Sequence, residues 1–140
     1  MPYLPATLPL PAPSVDDAGW WAAAREHRLV IQRCSDCGTF RHPPRPVCFQ
    51  CRSLSFEWAA VSGRGTVYSV INCVHPVHSA VKDVGPYNVV LVELPDAPGI
   101  RLVGNVIDTP FEKIAIDMPV EVVFEDVADD VTLVRWRRAS

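Results

Sequence analysis

A chain of 140 residues, 49% of them hydrophobic, can bury a real core and is too apolar to stay disordered. Its net charge of −3 and pI of about 5.7 exclude a protein that grips polyanions over its whole surface. No apolar run approaches the ~20 residues that span a bilayer, so no membrane-spanning helix is expected.

Residues 1–13, MPYLPATLPLPAP, carry five prolines among small apolar residues. They cannot form a helix interior and read as an extended arm, free or laid on a partner. This start lacks the basic and continuous apolar regions of a signal peptide, and a cytoplasmic location is expected. Ser14, Asp16 and Asp17 then supply N-cap chemistry. Trp20, Trp21, Ala24 and His27 or Arg28 follow at helical spacing, and the alanines favour helix. The pattern predicts a helix over 16–27, within an N-terminal helical segment of residues 14–30. RLVIQR then turns strand-like and runs into Cys34.

Residues 31–55 hold two C-x-x-C pairs, Cys34/Cys37 and Cys48/Cys51, ten residues apart. Each pair can present two thiolates from one tight turn, and the two turns together complete a closed tetrahedral shell. A thioredoxin-like redox motif would stand alone at a helix start. The pattern therefore predicts structural zinc on Cys34, Cys37, Cys48 and Cys51. A rubredoxin-type iron site uses the same ligands. His42, between the pairs, is expected as a surface residue outside a shell already full. So short a segment has too few apolar residues for its own core, and a metal supplies the missing stability.

Strand-like runs follow at 56–61, 66–75, 87–94, 101–107, 120–126 and 132–137, separated by DVGP, PDAPG, DTP and ADD turns. PFEKIAI, residues 110–116, is expected to hold one helical turn. Gly63, Gly65 and Gly104 suit the bends of a small closed barrel. The expected fold class is mainly β: an N-terminal helix, a four-cysteine zinc ribbon over 31–55, and an OB-type five-stranded Greek-key barrel over 56–140. Cys73, alternating with Ile71 and Val67, is expected as a buried, apolar-like cysteine. His75 lies two residues on and His78 follows in a loop, but neither has the carboxylate or spacing of a catalytic or metal site.

Charge is unevenly placed. Arg25, Arg28, Arg33, Arg41, Arg45, Arg52 and Arg64 face only Glu26, Asp36 and Glu57 over the same stretch, whereas the rest of the chain is net acidic. An acidic barrel without stacking aromatics interleaved with basic residues disfavours single-strand nucleic-acid binding, the alternative function for a zinc-ribbon and OB pairing.

Taken in order, LVIQRCSDCGTFRHPPRPVCFQC, SGRGTVYSV, GPYNVVLVEL, RLVGNVI and MPVEVVFE resemble one family from about residue 16 to 138. It is the zinc-ribbon OB-fold family known as domain of unknown function thirty-five. The PPR-x-x-C-x-x-C and GRGTVYS blocks together are its most specific marks. The proline-rich arm and Cys73 lie outside that pattern. The resemblance implies a non-catalytic accessory subunit of a thiolase-like enzyme, a sterol-carrier-type thiolase or retro-aldolase, acting on acyl-CoA thioesters in steroid side-chain or related degradation. It implies a two-plus-two complex with acyl-CoA at the shared interface. In that frame Arg33, Arg41, Arg45, Arg52 and Arg64 become candidates to face CoA phosphates. Trp20, Trp21 and Tyr87 become candidates for the partner interface.

Overall fold

Two sheets divide the chain, and a computed structural model describes residues 2–140. In the first sheet β1 (Val30–Cys34) is central, with β2 (Phe40–Arg41) and β3 (Phe56–Ala60) antiparallel on either side. β3 was expected to open the barrel. Instead it pairs with β1 along its whole length, from Val30 opposite Ala60 to Cys34 opposite Phe56. The cause is local: the chain leaves the second cysteine turn heading back along β1, and Trp58 of β3 slots beneath Gly19, where any Cβ would strike the indole.

Helix α1 (Ala18–Arg25) is shorter than the sequence pattern suggests. Asp17 is its N-cap residue but points backward, its carboxylate accepting from the Ser14 N–H at 2.6 Å and the Ser14 hydroxyl at 3.1 Å. Asp17 thus closes the turn before the helix. At the other end His27 takes a left-handed φ of 57°, which stops the helix.

The second sheet is built from β4 (Arg64–Cys73), β5 (Tyr87–Glu93), β6 (Arg101–Gly104), β7 (Val106–Ile107), β8 (Pro119–Ala128) and β9 (Val131–Arg138), in the order β6-β5-β4-β8-β9-β7. Residues 101–107 were expected as one strand, and they break at Asn105. The first half pairs antiparallel with β5 and the second pairs parallel with β9. One run therefore joins both edges of the sheet, which closes it into the five-stranded OB barrel. Gly104 lies at this seam, where an added Cβ would sit 2.9 Å from the ring of the fully buried Trp136. A bulge between Val67 and Ser69 shifts the alternation of β4. Residues before it turn Gly65 and Val67 inward, while Ile71 beyond it is exposed. Single helical turns lie at Ser79–Val81 and, as expected, within 110–116 at Phe111–Lys113.

Leu29 and Ile31, from the ribbon side, join Val67, Val90, Val92, Leu102, Val120 and Trp136 in one core. Each such side chain contributes about 1.5–3 kcal/mol on burial. The ribbon is thus anchored to the barrel by its own central strand. The arm lies against its own barrel, tied there by Tyr3. The Tyr3 N–H donates to Glu125 at 3.1 Å, and its hydroxyl accepts from Asn88.

Candidate metal centre and its surroundings

The two C-x-x-C turns are built alike. In the first, Cys34 N–H donates to Thr39 O at 2.9 Å and Gly38 N–H returns to Cys34 O at 3.0 Å. In the second, Cys48 N–H donates to Ser53 O and Arg52 N–H returns to Cys48 O, both at 2.9 Å. The residue after the second cysteine must then adopt a left-handed backbone. Gly38 does so with φ 76°, and Arg52 does so with φ 65°. Asp36, in the first turn, accepts a hydrogen bond from Ser53, beyond the second, and so links the two.

This arrangement brings the four sulfurs within 4.8 Å of one another. Cys34 and Cys51 Sγ are 3.5 Å apart, and Cys37 and Cys48 Sγ are 3.6 Å apart. Zinc bound tetrahedrally at about 2.3 Å per sulfur requires S–S edges of about 3.8 Å. The cluster fits that shell and leaves no position for substrate. Backbone N–H groups of Cys37 and then Asp36 bring the Cys34 thiol down to about 6. Those of Cys51 and Gln50 likewise lower Cys48. Cys51 moves the other way. The Ser53 N–H favours its thiolate, but burial and the three surrounding sulfurs outweigh it and push the group up to about 12. Four sulfurs this close cannot all ionise unless a cation sits among them. The donor set therefore fits a structural Zn2+, which ties two turns and three short strands into a rigid unit.

His42 is outside the sulfur cluster but is not a surface residue. Its ring packs against Trp20, with centroids 5.9 Å apart, and burial lowers it to about 4, so it is neutral at pH 7. Sequence spacing did not reveal this because the contact joins residues far apart in the chain.

The arginines separate into two kinds. Arg45, Arg52 and Arg64 are exposed, and Arg33 pairs with Glu57 at 3.8 Å. Arg41 differs from the expected surface patch, being only 3% exposed. Its Nε donates to Arg45 O at 3.1 Å, and its guanidinium lies over the Phe56 ring. Alternation along a two-residue strand gave no sign that Arg41 would turn inward. Arg41, His42, Arg45 and Phe49 line a cleft of about 280 Å³ between ribbon and barrel, with Pro98 and Gly99 opposite.

Trp20 and Trp21 are half-buried against their own chain, edge to face at 4.8 Å. Tyr87 is half-buried too, directly opposite Cys73 in the β4–β5 register, and burial beside that cysteine raises it. Cys73 itself is half-buried and not a core residue, because the bulge at Val67/Ser69 changes the phase its spacing from Val67 implied. His75 is exposed, and His78 Nδ1 accepts from Ala80 N–H at 3.0 Å, capping a helical turn. Large exposed apolar side chains gather instead around the second cysteine turn. Phe49 and Leu54 are each 71% exposed, with Val47 and Phe56 nearby in sequence and also open.

The comparisons agree with this architecture. Residues 21–57 match the family described as ChsH2, rubredoxin-like zinc ribbon domain, and residues 58–125 match ChsH2, C-terminal OB-fold domain. The chain is 43% identical, over 96% of its length, to a probable enoyl-CoA hydratase alpha subunit of Thermomonospora curvata. It is 37% identical, over 89%, to the 3-oxo-4,17-pregnadiene-20-carboxyl-CoA hydratase alpha subunit of Mycobacterium tuberculosis. It spans only 41% and 39% of those two longer proteins. A DUF35 domain-containing scaffold protein of Methanocaldococcus jannaschii is 35% identical, and the match covers 79% of this chain and 77% of that protein. Among solved structures, a chain of the Ltp2-ChsH2(DUF35) aldolase superposes with a TM-score of 0.83 at 42% identity, covering 93% of this chain and 99% of that one. The chain belongs to the DUF35 family, in which a rubredoxin-like zinc ribbon is joined to an OB fold.

Proposed function

We propose that this chain is a non-catalytic accessory subunit that docks on a thiolase-like enzyme, a sterol-carrier-type thiolase or retro-aldolase, acting on acyl-CoA thioesters. One observation carries the reading: the near end-to-end likeness, at 42% identity, to a chain of an aldolase assembly. The name of the mycobacterial relative points to steroid-derived acyl-CoA as the substrate class. In this reading the partner holds the reacting groups, and the ribbon is a stiff platform pressed against it. Its apolar tip, Phe49 and Leu54, supplies the contact, with the outer edges of Trp20, Trp21 and Tyr87 contributing at its margin. The assembly is two-plus-two, because thiolase-like partners are dimers. Acyl-CoA lies along the shared interface, with exposed Arg45 and Arg52, and more distantly Arg33 and Arg64, facing its phosphates. The setting is the cytoplasm.

Co-expression with a thiolase-like partner, followed by size-exclusion chromatography and assays of each chain and of both, tests the proposal. Co-elution is expected, with acyl-CoA cleavage only when both chains are present. Separate elution, together with tight salt-sensitive binding of single-stranded nucleic acid, would replace it with the nucleic-acid reading.

A further inference from the structure

Two arginines are buried, and only one of them has a counter-charge among the described residues. Arg135 pairs with Glu125 at 3.3 Å. Arg41, 3% exposed, has no carboxylate within 4.0 Å among the described residues, and its Nη1 and Nη2 have no hydrogen-bond acceptor there. An unpaired buried charge is strongly destabilising, so something must offset this one. The ribbon's own acids do not. Asp36 accepts from Ser53, and Glu57 faces Arg33.

Strand register places Arg41 beside the strand that ends in the ligand Cys34. Arg41 stands opposite Gln32 of β1, and Gln32 and Cys34 lie on the same face of that strand. The guanidinium does not stay beside Gln32. It lies over Phe56, centroid 5.8 Å away, and Phe56 is the register partner of Cys34. The side chain therefore reaches the aromatic ring of the residue paired with Cys34, one of the four ligands. Its position is fixed from behind. The Arg45 peptide accepts from Arg41 Nε and from Gln32 Nε2, and its N–H donates to Gln32 Oε1 at 2.8 Å. A divalent ion held by four thiolates is a net dianion. It is the one strong negative charge that the ribbon's chemistry supplies on that face.

We infer that Arg41 is the internal counter-charge of the metal centre. The buried guanidinium lowers the cost of gathering four thiolates on one ion, and the ion-loaded cluster lowers the cost of burying the guanidinium. Arg41 acts through the sulfurs as a positioning residue, and its role requires charge and not merely volume.

The test compares Arg41→Met, which keeps bulk, with Arg41→Lys, which keeps charge, in the full chain. Zinc affinity is read by chelator competition, and the sulfur-to-metal charge-transfer band is read after substitution with cobalt(II). Arg41→Met should bind zinc at least about tenfold more weakly, in the range expected for losing an outer-shell partner. Its charge-transfer band should shift. Arg41→Lys should stay close to wild type in both. Equal zinc affinity in all three proteins overturns the inference. So does equal weakening in both variants, or failure of both to fold with zinc present, since packing would then be the role of Arg41. Inorganic phosphate binding to the zinc-loaded wild type and not to Arg41→Met overturns it too, by assigning the guanidinium to a diffusible anion.

Discussion

The Tyr3 hydroxyl accepts two hydrogen bonds from a single residue, Asn88: one from its backbone N–H at 3.2 Å and one from its side-chain amide at 2.7 Å. These bonds complete a ring of polar contacts across the barrel seam. Asn105 donates to Asn88 O, Arg135 donates to Asn105 Oδ1, Arg135 pairs with Glu125, and Glu125 accepts from Tyr3 N–H. The arm thus fastens the place where β6 and β7 separate. Tyr3→Phe should cost about 1–2 kcal/mol, since it removes the acceptor of a buried amide but leaves the Asn88 bond to Val106 O. Urea unfolding measures this, and an unchanged midpoint would show that the Tyr3 hydroxyl contributes nothing to the barrel.

That ring also shows what sequence could not convey. The β-rich pattern and the metal ligands were legible, because strand alternation and cysteine spacing are local signals, whereas the break at Asn105 that closes the barrel was not. Tyr3 was not. Its partners lie 85 and 122 residues away, and a proline-rich start carries no periodicity to say where it will lie. Arg41, expected on the surface, turned inward for a related reason. In a module this small the metal, not an apolar core, decides which side chains face inward.

Removing the metal should affect the two halves unequally. Cys48→Ser deletes one of four donors from a unit whose strands are two to five residues long, while the barrel keeps its own core. Metal content should fall, and hydrogen exchange should speed up in β2 and β3 before β4 to β9. Uniform loss of protection across both sheets would mean that the shared core, through Leu29 and Ile31, makes them one cooperative unit.

Asp126 sets an acid limit on the contact between helix end and barrel. Its carboxyl is lowered from the usual 3.8 first by the Thr132 hydroxyl at 2.6 Å and then by His27 Nε2 at 3.0 Å. A depressed carboxylate contributes stability that is present above 3.8 and lost as pH falls through the folded value. Thr132→Val should therefore narrow the stability difference between pH 6 and pH 3. Parallel profiles for variant and wild type would show that Asp126 does not carry it.

Arg52 occupies a backbone conformation that its counterpart Gly38 adopts without strain. A left-handed non-glycine residue costs about 1 kcal/mol, partly offset by glycine's freedom in the unfolded chain. Arg52→Gly should leave zinc retention equal or better and raise ribbon stability by up to about 1 kcal/mol. If Arg52 faces CoA phosphate, the same change should raise KM in the assembled complex, most visibly at low salt. Lower zinc retention would show that the side chain itself supports the turn.

The exposed tip of the ribbon supplies the sharpest test of the docking surface. Phe49 lies in the second cysteine turn and Leu54 just beyond it, and they are the most exposed large apolar side chains there, so removing them opens no cavity. Aromatic and apolar residues with arginine beside them are the usual anchors of interface cores, and truncating an anchor costs about 2 kcal/mol or more of binding, about thirtyfold in affinity. Phe49→Glu with Leu54→Glu should keep the zinc and the barrel's unfolding midpoint, yet abolish co-elution with the thiolase-like partner. Val103→Glu, an equally open site on β6, serves as the control and should leave the complex intact. If the ribbon variant still co-elutes and the β6 variant does not, the partner sits on the barrel, and the ribbon's role is confined to holding the metal and bracing the cleft.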